Sequence, residues 1–372
     1  MKQKLRYAHH MNHKPLTAIG LMSGTSLDGV DAAWLETDGV TVARTMPGIT
    51  LHFEDKLRAD LRCLLDLAPS IAPDDPFLRD VERRLTEDHA IVVAMLGRPA
   101  DLIGFHGQTI LHDPAHRRTW QIGDAARLAR ETRMPVVHDF RTADVAAGGE
   151  GAPLVPLFHA ALAADLETPL VIVNIGGVAN ITYLGADREV LACDTGPGNG
   201  PLDDWVFAHT GKAFDQDGEI AAAGHARQDR LAALMAHPYF ARPAPKSLDR
   251  LSFSALVAAA TEGLSLEDGA ATLAAFTAAA ILRTPLPETP KRILVCGGGR
   301  KNLAIMERLQ KSALCPVAPV ESVGWDGDYL EAQCFAFLAV RSFYGLPLSL
   351  PGTTGVPAPM TGGTLVSPET TL

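Results

Sequence analysis

A short apolar run, a turn rich in hydrogen-bonding groups and a second apolar run occur twice in this chain, about half its length apart. The first copy is TAIGLM (Thr17–Met22), the loop SGTSLDG (Ser23–Gly29) and VDAAWLE (Val30–Glu36). The second is PLVIVN (Pro169–Asn174), the turn IGGVAN (Ile175–Asn180) and ITYL (Ile181–Leu184). Apolar or β-branched runs of this length that end in turn residues read as strands. Two such hairpins point to a duplicated lobe, although their loop letters differ. A tight hairpin needs a loop of only about two residues. The first loop is far longer and carries two glycines, three hydroxyl side chains and an aspartate, more than a turn requires.

Other runs complete an α/β alternation. DLIGF (Asp101–Phe105) reads as a buried strand delivering HGQT (His106–Thr109) to its end, and PVVHDF (Pro135–Phe140) as another. Glu54–Ala68 and Asp80–Leu96 have helical periodicity. Arg141–Pro156 is glycine-rich and too irregular for a helix. VLACD (Val190–Asp194) is a strand ending in TGPGNG. Alanine-rich helices are expected at Ser254–Ala260 and Leu266–Leu282. Arg292–Leu309 reads as strand, triple glycine and amphipathic helix, and Tyr329–Gly345 as a last helix. The Pro/Gly/Thr tail (Leu350–Gly363) fits either an ordered loop or a disordered end. The expected division is an extension over 1–16, a first lobe over 17–168, and a second lobe over 169–372 that includes the last helix and tail.

Bulk properties exclude several classes. The 372 residues are 47% hydrophobic, enough for a large core in two lobes. A net charge of -10 argues against a nucleic-acid partner. No run of ~18 apolar residues appears, so no membrane span is expected. The polar N-terminus lacks a secretory core. Five scattered cysteines fit neither a zinc site nor a disulfide framework, and a reducing, cytoplasmic setting suits them.

Glycine turns following strands offer what a phosphate needs: close backbone approach and N–H donors. Gly176 and Gly177, Gly196 and Gly198, and Gly297, Gly298 and Gly299 all sit in such turns. There is no Walker-type glycine–lysine loop and no protein-kinase HRD or DFG set. GGGRKN (Gly297–Asn302) also lacks the GxGxxG spacing of a dinucleotide fingerprint.

Taken in order, GLMSGTSLDGVD (Gly20–Asp31), GFHGQT (Gly104–Thr109), QIGD (Gln121–Asp124), GGEGAPLVP (Gly148–Pro156), NIGGVANIT (Asn174–Thr182), CDTGPGNG (Cys193–Gly200) and CGGGRKN (Cys296–Asn302) resemble the anhydro-N-acetylmuramic acid kinase family. The resemblance implies the sugar kinase, heat-shock chaperone and actin superfamily: a two-lobed ribonuclease-H-like α/β fold with mixed sheets and a central nucleotide cleft. It implies conversion of 1,6-anhydro-N-acetylmuramic acid, ATP and water to N-acetylmuramic acid 6-phosphate and ADP, with ATP and Mg2+ required, in a homodimer.

The resemblance places Asp194, Glu331 and the Gly24–Asp31 loop in the site, and the type and position of the remaining residues suggest the rest. Asp194 is the catalytic base and Glu331 a second acid beside the water. Gly24, Thr25, Ser26, Leu27, Asp28, Gly29, Val30 and Asp31 form the first nucleotide loop, with Asp28 or Asp31 orienting hydrated magnesium. Asn174, Gly176, Gly177, Gly196, Gly198, Gly297, Gly298, Gly299 and Asn302 form the others. His106 and Gln108 contact substrate or phosphate. A cation is wanted for the substrate's lactyl carboxylate, and Arg141, Lys246 and Arg250 are candidates. PKSLDR (Pro245–Arg250) departs from the PKSTGR wording typical of the family.

The chemistry can also be built from the residues. Opening an intramolecular acetal needs a nucleophile at the anomeric carbon, and a carboxylate can take the proton of an attacking water. If the departing oxygen attacks the γ-phosphate, no separate acid need protonate it. Two other readings stay open: a kinase of the same fold for an ordinary sugar or carboxylate, and a non-catalytic ATP-dependent clamp.

Overall fold

The computed structural model describes residues 13–24, 26–248 and 250–369. Most of the expected N-terminal extension, and Thr25, thus lie outside the described residues. Leu16 already opens the first strand. The strands are β1 (Leu16–Ser23), β2 (Gly29–Thr37), β3 (Val42–Thr45), β4 (Ile49–His52), β5 (Leu102–Asp113), β6 (Arg118–Ile122), β7 (Val136–His138), β8 (Leu170–Ile175), β9 (Val178–Leu184), β10 (Val190–Pro197), β11 (Arg292–Cys296), β12 (Val317–Pro319) and β13 (Thr364–Val366).

They form two sheets with one plan. The first runs β13-β7-β5-β1-β2-β3, with β4 added on β2 and β6 on β5; the second runs β10-β9-β8-β11-β12. In each, an antiparallel hairpin (β1–β2, β8–β9) continues to a third antiparallel strand (β3, β10). The hairpin's first strand also pairs in parallel with a later one (β5, β11), which has a further parallel neighbour (β7, β12). The duplication is the one that the two hairpins announced, and the architecture is the ribonuclease-H-like α/β fold with mixed sheets that the resemblance implied. β8 is buried along its whole length, as a central strand covered on both faces must be.

Helices fill the space between the sheets and cover their outer faces. Asp55–Leu67 and Pro76–Leu96 bury Leu57, Leu61, Leu64, Leu78, Val81 and Leu85 in the first lobe's outer core. Leu266–Leu282 is buried nearly all round in the second lobe's outer core, where Gly269 lets Trp205 of Gly200–Thr210 pack against its backbone. No helix among the described residues is long and apolar enough to cross a membrane.

Three expectations need correction. HGQT lies within β5, because the strand exchanges its parallel partners for the antiparallel β6 at this point instead of ending. Arg141–Pro156 contains a short helix, Thr142–Ala146, before its glycine loop. The last helix (Leu330–Phe343) and the tail, expected with the second lobe, return to the first: the helix packs on β1, β2 and β5, and β13 pairs with β7. The tail is ordered, with a helical turn at Pro351–Thr354 and a bridge from Ser349 to Met360.

That return fixes the site. Gly20 on β1 and Gly104 on β5 are paired across the sheet. A Cβ at Gly20 would stand 1.7 Å from the Ala332 carbonyl oxygen, and one at Gly104 would stand 2.0 Å from that of Phe335. Two adjacent strands without side chains let the helix backbone lie directly on the sheet, which presents its first turn, with Glu331, to the gap between the lobes.

Candidate active site

Asp194 sits in β10, where the pairing with β9 slips between Asp194 and Gly196. Its backbone N–H donates to the Lys246 carbonyl (2.9 Å), the Tyr239 hydroxyl donates to its carbonyl (2.8 Å), and the Leu248 N–H donates to its carboxylate Oδ2 (2.8 Å). Burial pushes the carboxyl up to about 7; the Leu248 N–H, Lys246 and Arg141 pull down and Glu150 pushes further up. A carboxylate poised near neutrality is suited to accept and release a proton.

Glu331 accepts a hydrogen bond from the Asn174 side-chain amide (3.0 Å), joining the end of β8 to the start of the last helix. It keeps an open face to solvent. The protein around it still raises its carboxyl above the ordinary range, with Arg141 and the Asn174 amide opposing.

Arg141 lies in the electrostatic field of both acids. Burial lowers its pKa, and the nearby carboxyls of Glu331, Asp144 and Asp194 counter that effect. Its Nη1 donates to the Gly151 carbonyl (2.6 Å) and its Nε to His106 Nε2 (3.1 Å). His106 in turn donates from Nδ1 to the Gly107 carbonyl (2.7 Å). Burial and the Arg141 charge hold its pKa well below the usual value, so the ring is neutral with the proton on Nδ1. Gln108, fully buried, donates to the Gly24 carbonyl (3.2 Å), and Ser23 donates to the Gly107 carbonyl (3.2 Å). His106 and Gln108 therefore tie the first glycine loop to Arg141.

Within that loop Leu27 and Val30 are core side chains, Leu27 with a positive φ of 58°. Ser26 and Asp28 are exposed and Asp31 is half-buried. Thr50 donates to Asp31 Oδ1 (2.6 Å), yet burial raises the Asp31 carboxyl to about 6, helped by Glu331, Asp328 and Asp28.

The other glycines divide by what stands above them. A Cβ at Gly297 (φ 74°) would meet Asn174 Oδ1 at 2.2 Å, one at Gly299 the Ile175 side chain at 2.3 Å, and one at Gly198 the Gly176 carbonyl at 2.2 Å. These positions are filled by protein. At Gly298 the nearest atom is 3.5 Å away, and at Gly24 and Gly176 it is 3.6 Å away, so these three leave backbone open to an approaching group. The turns are bound to each other: Gly198 and Gly200 N–H donate to the Gly177 carbonyl, and Asn199 N–H donates to that of Gly176. Gly196 lies inside β10. Asn302 caps the helix Leu303–Ser312 through its side chain, which receives the Ile305 N–H.

Two acids outside the expected site residues, Asp144 and Glu150, support the site. Asp144 receives the Gly151 N–H (2.7 Å) and the hydroxyls of Thr354 (2.6 Å) and Ser349, pinning the GGEG loop to the tail. Glu150 of that loop accepts from Ser247, bridging to the segment that holds Asp194. An acid between glycines was visible there in the sequence. Lys246, a candidate for the substrate carboxylate, is 2% exposed and donates to the Tyr239 carbonyl (3.1 Å), so it is turned away from the gap. Cavity size does not mark this site: a cavity of about 710 Å³ lined by Trp205, His209, Val257 and Leu264 includes none of these residues.

The chain matches the family model for anhydro-N-acetylmuramic acid kinase over residues 16–368. A protein named anhydro-N-acetylmuramic acid kinase from Acidiphilium cryptum is 70% identical, with 94% of this chain and 98% of that protein covered. Proteins of the same name from Paramagnetospirillum magneticum and Gluconobacter oxydans are 55% and 53% identical, with 94% of this chain and 99% of each relative covered. A glucokinase structure from Streptomyces griseus, with glucose and AMPPNP, aligns at a TM-score of 0.40 and 13% identity over 87% of this chain and 98% of that one; the fold assignment rests on strand order instead. This chain belongs to the anhydro-N-acetylmuramic acid kinase family.

Proposed function

We propose that the protein is an ATP-dependent phosphotransferase that opens the 1,6-anhydro bridge of 1,6-anhydro-N-acetylmuramic acid with water and phosphorylates O6. The products are N-acetylmuramic acid 6-phosphate and ADP. The observation that carries this reading is the pair of raised carboxyls, Asp194 and Glu331, sharing the field of Arg141 beside glycine turns whose backbone is open.

In this reading Asp194, with Oδ2 held by Leu248, takes the proton of a water as that water bonds to the anomeric carbon. The bond from that carbon to O6 breaks, and O6 bonds to the γ-phosphorus while the bridge to ADP breaks. Every proton and leaving group is then accounted for without a separate acid for O6. Arg141 offsets negative charge, and neutral His106 fixes its direction. Glu331 orients the water from the last helix. The two lobes close to exclude bulk water, and their boundary falls near residue 168.

Among the described residues no three acidic, cysteine or histidine side chains converge as a metal cage. A hydrated Mg2+ carried on phosphates needs only one or two carboxylates, a demand that Asp31 and Asp28 fit. When bound it would neutralise charge on the β- and γ-phosphate oxygens. A cytoplasmic location and a homodimer complete the reading, and light scattering tests the dimer.

The decisive experiment is ADP release in a coupled assay with the anhydro sugar, with mass spectrometry of the product. Sugar-dependent ADP and a product heavier by one water and one phosphoryl group are expected. Equal turnover of reducing N-acetylmuramic acid would overturn the hydrolytic step.

A further inference from the structure

The segment Tyr239–Leu248 does more than pass by Asp194. Lys246 is buried, with its ammonium 4.3 Å from the centre of the Tyr239 ring and 3.1 Å from the Tyr239 carbonyl oxygen. The same two residues hold Asp194 by its backbone: the Lys246 carbonyl receives its N–H, and the Tyr239 hydroxyl donates to its carbonyl. Two positions further on, Leu248 donates its N–H to the carboxylate. One buried cation therefore staples the two ends of the loop that orients this acid.

We propose that Lys246 is a positioning residue for Asp194: its charge, held against Tyr239 inside the second lobe, fixes the Leu248 N–H on the carboxylate and favours the charged form of that acid. The proposal rests on the reading of Asp194 as the base. It differs from a role in binding substrate, because the ammonium is turned into the protein.

The electrostatics agree with the geometry. Around Asp194 are Glu150 from the first lobe's glycine loop, Arg141 from the N-cap of the helix Thr142–Ala146, Tyr239 and Lys246 from the stapling segment, and Cys193 beside it on β10. Arg242 lies 5.6 Å from the Tyr239 ring centre, behind the staple. Burial pushes both the Cys193 thiol and the Tyr239 hydroxyl up, so these two stay neutral. Lys246 and Arg141 are then the cations that oppose Glu150 and burial. Conversely, burial lowers the Lys246 pKa, Cys193 raises it, Arg242 lowers it further, and the Asp194 carboxylate adds a smaller raising effect. Removing the cation should make Asp194 harder to ionise.

The test compares Lys246→Gln, Lys246→Met and Lys246→Arg in the full-length enzyme, reading kcat/KM against pH. Lys246→Gln keeps an N–H donor for the Tyr239 carbonyl but removes the charge. Its acid limb should move up by about half a pH unit or more, with ATP affinity by calorimetry unchanged. Lys246→Met should show the same displacement and a further fall in kcat of about tenfold as the loop loosens. Lys246→Arg should restore the limb. Tyr239→Phe serves as a control, since it loses a backbone anchor but no charge: kcat falls and the limb stays. If Lys246→Gln folds, binds ATP and keeps the wild-type limb, the proposal is overturned. If Lys246→Gln does not fold, the Lys246→Arg limb decides, because a displaced limb there refutes a purely charge-based hold. Asp194→Asn separates the two levels: full turnover in that variant removes the reading of the base itself, whereas an inactive Asp194→Asn beside an unmoved Lys246→Gln limb removes only the role of Lys246.

Discussion

Asp194→Asn should make the protein more stable while making it inactive, and the gain should depend on pH in a defined direction. The Asp194 carboxyl rises from 3.8 to about 7 in the folded protein. An acid whose pKa is raised by folding binds its proton more tightly when folded. Its ionisation therefore costs nothing below the unfolded value, costs progressively more as pH rises from about 4 to about 7, and costs a constant amount above that. At about 1.4 kcal/mol per pH unit, the interval corresponds to about 4 kcal/mol at pH 8. Near pH 5 only about 1.5 kcal/mol of it has appeared. The substitution keeps the acceptor for the Leu248 N–H and removes the charge. Urea denaturation of both proteins without ligands, at pH 5 and pH 8, measures the difference. The variant should be more stable at pH 8 by several kcal/mol, and by much less at pH 5. A gain that is absent, or the same at both values, would refute the argument that burial of this charge is what sets its pKa.

Other expectations concern turnover and the loops. Wild-type kcat/KM should fall about fivefold from pH 7 to pH 6 as Asp194 takes up its proton, and a limb near pH 4 instead would remove Asp194 as the titrating base. Gly297→Ala should cost about 2 kcal/mol by denaturation, from a left-handed φ and a Cβ driven into Asn174, and should also lower kcat because Asn174 holds Glu331. Gly298→Ala, whose Cβ would meet nothing closer than Asn199 Nδ2 at 3.5 Å, should leave stability within about 0.5 kcal/mol of wild type but weaken ATP in calorimetry; unchanged affinity would show that no phosphate passes there. Turnover in oxygen-18 water should place the label on the anomeric carbon of the product, and label on phosphate would contradict water attack at the sugar.

Local pattern alone set much of this molecule. The two hairpins, the helix Leu266–Leu282 and the strand–triple-glycine–helix unit follow from apolar spacing and turn residues, which act over a few residues. The candidate acids were also legible, since Asp194 stands in a motif that resembles the family's and Glu331 at a position where the resemblance implies a second acid. Sequence could not say that the last helix returns to the first lobe. That outcome depends on Gly20 and Gly104 meeting as neighbours on two strands more than eighty residues apart and leaving room for Ala332 and Phe335. Nor could it separate the glycines packed against protein from those left open, or show that Lys246 turns inward. Those choices belong to contacts between distant segments. Only the folded chain could tell a lysine that binds from a lysine that holds another residue in place, because the difference lies in what surrounds its ammonium and not in the letters beside it.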